Sequence, residues 1–231
     1  MNSKVLTVID GADNDITETV KNLAVTLDSQ LTLQEHAKLV ARSCLYQLRQ
    51  LRSVRRTLTR DAALILVNAF VTSRLDYCNS IFAGSTGTVV RQLQTVLNAA
   101  ARLIAVKKRS DHITSVLRDD LHWLPVRQRI NYKIALMAYR CLHGLAPIYL
   151  SQSCIQVSSL SGRQNLRSAA HGDLFIPPTR TVRHGQRSFR SCGPSTWNSL
   201  PTGVRNPSLT IGQFKKKLKH HFFLQAYFPV A

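Results

Sequence analysis

The stretch TLQEHAKLVARSCLYQLRQLRSVRR, residues 32–56, decides how this chain folds. Leu33, Ala37, Val40, Cys44, Leu48 and Leu51 recur at three- and four-residue steps, which puts them on one side of a helix. Thr32 and Glu35 stand at the spacing of a capping box, where hydroxyl and carboxylate each take a free backbone donor of the first turn. Lys38, Arg42, Arg49, Arg52 and Arg56 fall in a different arc, only about 80° wide at 100° per residue. No acidic residue interrupts that arc. A greasy side fixes the helix to a core, and a row of cations is left facing away from it.

Working outward, the same periodicity makes the chain mainly α. A second helix starts near Thr59, with Asp61 placed to suit the dipole of its first turn. Its expected inward face is Ala62, Ile65, Leu66, Ala69, Phe70 and Ser73, running on to Tyr77 and stopping near Gly84. A third covers residues 88–106, with Val89, Leu93, Val96, Ala100 and Leu103 inward. Lys107, Lys108 and Arg109 follow at its C-terminus, where cations suit the dipole and can also meet a phosphate. Asp111 can cap a short helix, and Pro125 suits the first turn of the next, whose apolar side is Val126, Ile130, Ile134, Met137 and Cys141. Gly144 and Pro147 end it, and Trp123 reads as a core anchor.

Beyond residue 150 the texture changes. Residues 151–193 are rich in Ser, Gly and Arg (Arg163, Arg167, Arg180, Arg183, Arg187, Arg190) and read as a basic linker, locally extended at Pro177-Pro178. Residues 194–231 place Trp197 and Leu200 on a turn, then a terminal amphipathic helix from about Thr210. There Ile211, Phe214, Leu218 and Phe222 face inward, while Lys215, Lys216, Lys217 and Lys219 face out.

The N-terminal end is the exception to helix. Residues 4–9 alternate weakly, Asp10-Gly11 signals a turn, and residues 20–27 of VKNLAVTLDSQL read as a strand. A lone hairpin is marginal in water, so these strands want more sheet than the chain supplies.

Charge narrows the partner. The 231 residues carry 31 Lys and Arg against 12 Asp and Glu, a formal charge of +19, and Asp173 is the only acidic residue from Leu121 onward. Such a field attracts phosphate polyanions and works against self-association. RNA, DNA or an RNA–DNA duplex is therefore the expected partner, with neither a membrane nor a small-molecule substrate indicated. Five scattered cysteines (Cys44, Cys78, Cys141, Cys154, Cys192) fit neither a disulfide framework nor a zinc site. They read as buried thiols of an intracellular protein, nuclear or cytoplasmic. No secretory leader and no bilayer-long apolar run is evident.

Catalytic patterns are thin. There is no Gly-rich phosphate loop, zinc-protease helix or nucleophile elbow. His220-His221 brings no further metal ligands with it. Polymerase chemistry needs clustered carboxylates for two metal ions. Asp119 and Asp120 are adjacent, but in a helix consecutive side chains diverge by about 100° and cannot serve one site.

Several segments in serial order carry a resemblance. They are VKNLAVTLDSQL (20–31), SCLYQLRQLRSVRRTLT (43–59), LVNAFVTSRLDYCNSIFAG (66–84), LQTVLNAAARLI (93–104), DHITSVLRDDLHWLPVRQRINYKI (111–134), LHGLAPIYL (142–150), STWNSLP (195–201) and FKKKLKHHFF (214–223). Together they resemble the C-terminal portion of the reverse transcriptases of non-LTR retrotransposons (LINEs), of the jockey-like and chicken-repeat-like kind. The resemblance implies that residues 1–31 are the end of a palm sheet, with Leu23, Ala24 and Val25 at a primer grip. Ala24 stands where the family has glycine, a residue that lets another backbone approach closely. It implies a helical thumb at residues 32–110 that tracks a template–primer duplex, and a helical continuation at 111–150. It also implies that the acidic catalytic motif is absent, so that the chain needs no cofactor of its own and does not polymerise alone, although the parent enzyme would need Mg2+. The zinc knuckle of some such enzymes is missing. A reading from another class remains open beside it: a non-enzymatic helical protein-interaction module, or remnant of a mobile element, docking through an apolar surface.

Overall fold

A computed structural model describes residues 19–181 and 184–228. The chain is mainly helical, with a two-stranded antiparallel sheet at its N-terminal end. Strand β1 is Thr19–Asn22 and β2 is Val25–Asp28, paired in the register Thr19 to Asp28 through Asn22 to Val25. Residues 20–27, expected to form one strand, therefore form both arms of a hairpin. Residues 4–11, expected to supply the partner, lie outside the described residues. The chain doubles back at Leu23-Ala24, both in the left-handed region with φ of 44° and 62°. Two residues at positive φ between paired strands make a type I′ turn, whose twist matches that of the flanking strands. The turn geometry prevails over the local chemistry, because neither Leu nor Ala favours that region.

Helix α1, Gln34–Ser53, starts without the capping box. The Asp28 carboxylate takes the Thr32 N–H at 2.9 Å, the Thr32 hydroxyl at 2.7 Å and the Leu33 N–H at 2.8 Å. Glu35 turns outward to Lys38 instead, at 2.6 Å. Burial alone would raise the Asp28 carboxyl, but the hydrogen bonds from Thr32 and Leu33 hold it below the usual carboxylate range. An ionised acceptor at the end of β2 thus does the work expected of Thr32 and Glu35. It also ties the hairpin to the helix.

The second helix begins where its signals place it, with the Thr59 hydroxyl accepting the Ala62 N–H. It runs as α2, Arg60–Val67, a π-helical turn, Asn68–Thr72, and α3, Ser73–Asp76. Its buried residues are Ala63, Val67, Val71 and Leu75, not the expected Ala62, Ile65, Leu66, Ala69, Phe70 and Ser73. Ile65 is 67% exposed and Phe70 is also exposed. Packing of α2 on α1 and on the next long helix buries Ala63 and Val67 and turns Ile65 outward, and the wide π-turn that follows, with more than four residues per turn, keeps Val71 and Leu75 on the same face. Helix α4, Gly87–Ile104, buries Val89, Leu93, Val96, Ala100 and Leu103 as expected and packs along α1. These helices enclose a first core.

Asp111 caps no helix. Its carboxylate takes the Lys108 N–H at 2.8 Å and closes a tight turn after α4. A second π-turn, Val116–Asp120, leads to Trp123, Leu124 and Pro125, the N-cap of α5, Val126–Leu142. Helix α5 serves two cores. Val126, Ile130 and Ile134 join the first, while Ala135, Ala138, Tyr139 and Cys141 join the second.

The second core takes in much of the stretch expected to be linker. After two short helices, α6 (Ile148–Ser151) and α7 (Arg167–Ala170), Leu174 is 1% exposed. The backbone of Leu174 is held in both directions by the side-chain amide of Asn198. Helix α8, Phe189–Asn198, begins inside the expected linker and carries Trp197, which was expected on a turn. Trp197 donates through Nε1 to the Gly172 carbonyl at 3.1 Å. Leu174 and Trp197, too isolated in sequence for a periodic signal, join the second core beside α5 and the last helix, while Ile155, Leu166 and Ile176 stay exposed. Helix α9, Ile211–Tyr227, has a full Thr210–Gln213 capping box and buries Phe214, Leu218 and Phe222. Phe214 stacks on Tyr139 with ring centroids 4.3 Å apart. Arg183, one of the expected linker cations, lies outside the described residues.

The turn geometry has a measurable consequence. Ala24→Gly should relieve about 1 kcal/mol of backbone strain. The expected result is about fivefold slower hydrogen exchange at the Val25–Asp28 amides, with the helices unchanged.

Candidate nucleic-acid interface

The cations of α1 are placed by what its other side buries. Ala37, Ala41, Cys44, Leu48 and Leu51 are all buried against the first core. Lys38, Arg42, Arg49 and Arg52 are consequently exposed along a ridge that rises about 1.5 Å per residue, or about 21 Å from end to end. Arg42, Arg49 and Arg52 have no hydrogen bond or ion pair among the described residues. Lys38 is the exception, held by Glu35 in an exposed pair of little energetic weight.

Arg56 leaves the ridge. Helix α1 ends at Ser53, and Arg56 sits in a 3-10 turn, Arg55–Thr57, where 100° spacing no longer applies. The turn is pinned by Arg55, whose guanidinium donates to the Leu103 carbonyl, the Ile104 carbonyl and the Leu58 carbonyl, each at 2.8 Å. Arg55 thus caps the C-terminus of α4 and brings the two helix ends together. It is a structural residue the sequence reading passes over, although a basic residue beside a helix C-terminus has a physical use there. The junction also sets exposed Lys107, Lys108 and Arg109, just past α4, at the same end of the bundle as Arg52 and Arg56.

An open groove of about 900 Å³ lies between α1 and α4. Lys38, Arg42 and Arg49 stand over it, and Leu39, Leu45 and Tyr46 add exposed apolar surface. Gln92 and Thr95 of α4 line the other wall. Tyr46 is four residues from Arg42 and so its neighbour on the helix surface.

The α9 lysines are not part of this groove. Lys215, Lys216, Lys217 and Lys219 are exposed over the second core. Lys216 and Lys219 line a cleft of about 330 Å³ with His122, His220 and Phe223. Burial, with His220 close by, lowers the neighbouring His221.

The hairpin sits at the opposite end of α1 from Arg52. Leu23 is 81% exposed at its tip, Ala24 is exposed beside it, and Val25 is buried. The Leu23 carbonyl accepts the Tyr77 hydroxyl at 3.0 Å, and the Thr26 N–H donates to His36 Nδ1 at 3.3 Å. His36 stacks on Phe82 with centroids 5.6 Å apart.

Asp119 and Asp120 face separate arginines, Arg118 at 2.7 Å and Arg60 at 3.6 Å. Among the described residues no group of three or more His, Cys, Asp or Glu could hold a metal ion, and no helix is long and apolar enough to cross a membrane. The five thiols are free, and burial pushes Cys44 up to about 11 and Cys154 up to about 12, where they stay protonated. No protein-family model matches the chain, and no curated protein and no solved structure matches it either.

His36 makes the hairpin sensitive to acid. Burial lowers its pKa in the folded chain, and the Thr26 bond needs Nδ1 unprotonated. The unfolded state therefore binds the proton more readily, so stability is fully present above about pH 6.5 and is lost as pH falls below it. Exchange at the Thr26 amide should accelerate between pH 7 and pH 5 in the native chain, beyond its intrinsic rate, and that excess should vanish in His36→Gln.

Proposed function

We propose that this chain binds nucleic acid through its sugar–phosphate backbone, without sequence readout, as a thumb-like segment of a non-LTR retrotransposon reverse transcriptase. The observation that carries the reading is the row of exposed guanidinium groups at Arg42, Arg49 and Arg52, unpaired among the described residues, with Arg56 just beyond. Free cations on a rigid helix are pre-placed for phosphate, and each one neutralised releases a counterion. The formal charge of +19 and the scarcity of carboxylates after Leu121 support the same partner class. The serial resemblance to the LINE enzymes supports the particular identity. On this reading the chain contributes grip to template and primer and performs no catalytic step by itself; the metal-holding carboxylates belong to the parent enzyme.

A second reading has its own observation. Leu39, Leu45 and Tyr46 are exposed in the same groove, as a protein-docking surface would require. Charge decides between them, since three of the eleven groove-lining residues, Lys38, Arg42 and Arg49, are cations that an apolar docking partner would leave unsatisfied.

Four free cations set the salt dependence. The logarithm of affinity for an RNA–DNA duplex should fall against the logarithm of salt concentration with a slope of about −3.6. Replacing Arg42, Arg49 and Arg52 with Glu should reduce that slope to about −0.9 or less while circular dichroism stays native. Filter binding across a salt series reads both. A native slope near zero would reject the nucleic-acid reading, and an unchanged slope in the variant would remove the ridge from it.

A further inference from the structure

We propose that the groove between α1 and α4 holds a single strand more tightly than a duplex, with one base of the strand stacked on Tyr46 and the flanking phosphates on Arg42 and Arg49. This rests on the nucleic-acid reading above and deepens it.

Three features of the groove point the same way. Tyr46 is 56% exposed although it belongs to a helix with a well-formed core side, so its ring is not there to pack the fold. It lies one helical turn from both Arg42 and Arg49, so an aromatic face is bracketed by two free guanidinium groups. Leu45 and Leu39 extend the apolar surface beside it. A duplex keeps its base faces inside the stack and presents only phosphates, sugars and groove edges. It would satisfy the arginines and leave the phenol ring and both leucines in water or against charge. An unpaired strand presents both chemistries at once, a π-face every nucleotide and a phosphate on either side. Aromatic platforms inside a basic channel are the general device by which proteins hold single strands without regard to sequence. The groove volume, about 900 Å³, is within the range of sites that enclose a whole small ligand, so a splayed base fits. A second copy of this chain is disfavoured as occupant by the repulsion between two strongly cationic bodies.

The test uses the full chain with a short oligothymidylate, the same strand with abasic sites, an RNA–DNA duplex of equal length, and polyglutamate. Fluorescence anisotropy at fixed ionic strength reads each affinity. Tyr46→Ala should weaken the oligothymidylate on the order of 10-fold and leave the abasic strand, the duplex and the salt slope unchanged. Tyr46→Phe should keep the native affinity. On the native chain, removing the bases should cost a similar factor, which needs no variant to fold. Equal loss for strand and duplex in Tyr46→Ala, or no loss at all, would overturn the stacking proposal while leaving backbone binding standing. Failure of the Arg42, Arg49 and Arg52 charge reversal to weaken any of these polyanions would overturn both. Polyglutamate bound as tightly as oligothymidylate, and with the same Tyr46 dependence, would assign the groove to an acidic protein instead.

Discussion

The packing of α1 on α4 is the constraint from which the rest follows. Ala37, Ala41, Cys44 and Leu48 of α1 share a core with Val89, Leu93, Val96 and Ala100 of α4, and the two helices pack along one another. Each large aliphatic buried there is worth about 1.5–3 kcal/mol. An exposed ion pair such as Lys38 with Glu35 is worth about 1 kcal/mol at most. Helix rotation is therefore set by the buried side, and the cations go where packing leaves them. The hairpin, the second helix and the groove all take their places from that one orientation. The Asp28 carboxylate anchors the sheet to the start of α1, and Arg55 closes the far end on the carbonyls of α4.

Besides the shared helix α5 and the apolar contacts of Phe189, Cys192 and Tyr227, a few long polar reaches bind the C-terminal half to this bundle. Arg187 donates to the Ala83 carbonyl at 3.1 Å and to the Leu31 carbonyl at 2.7 Å, joining residues far apart in sequence. Gly84 is needed beside it, since its φ is +64° and a Cβ there would stand 2.8 Å from Arg187 Cγ. Arg129 bridges to Asp76 at 2.8 Å and stacks over Trp123. The Tyr227 hydroxyl donates to the Trp123 carbonyl at 2.7 Å, which fastens the end of α9 to the start of α5. Several of the arginines that raise the net charge are thus structural donors to backbone carbonyls. Net charge alone overstates how many cations are free to meet a partner.

The first, third and last helices are legible in sequence because their buried positions follow an undistorted period and their neighbours reinforce it. Val89, Leu93, Val96 and Ala100 are one such series, and Phe214, Leu218 and Phe222 another. The second helix misleads because packing on α4 selects Ala63 and Val67 over the larger Ile65, and the π-turn at Asn68–Thr72, which no local residue announces, then carries that face on to Leu75. The capping box misleads because the competing acceptor, Asp28, comes from the preceding strand. Trp197 and Leu174 are long-range solutions to a packing problem posed by α5, which periodicity cannot see. Four of the five cations read from the wheel do share a ridge on α1, and the fifth is lost to the turn that Arg55 shapes. The apolar character of the groove had a faint signal, an aromatic at the i+4 position from a cation and off the core face.

Self-repulsion gives the last link between charge and fold. A chain with +19 formal charge and few carboxylates to offset it is destabilised in its compact state, because folding concentrates like charges. On the ridge of α1, packing fixes three arginines within about 80° of arc, and Glu35, the acidic residue of the same helix, is taken by Lys38. A polyanion seated there would relieve the repulsion only in the folded chain, because the unfolded chain holds no such row. Binding and folding would then be linked, each strengthening the other by mass action. On the proposed reading, the feature that costs stability in isolation is the one that would draw phosphate to the ridge.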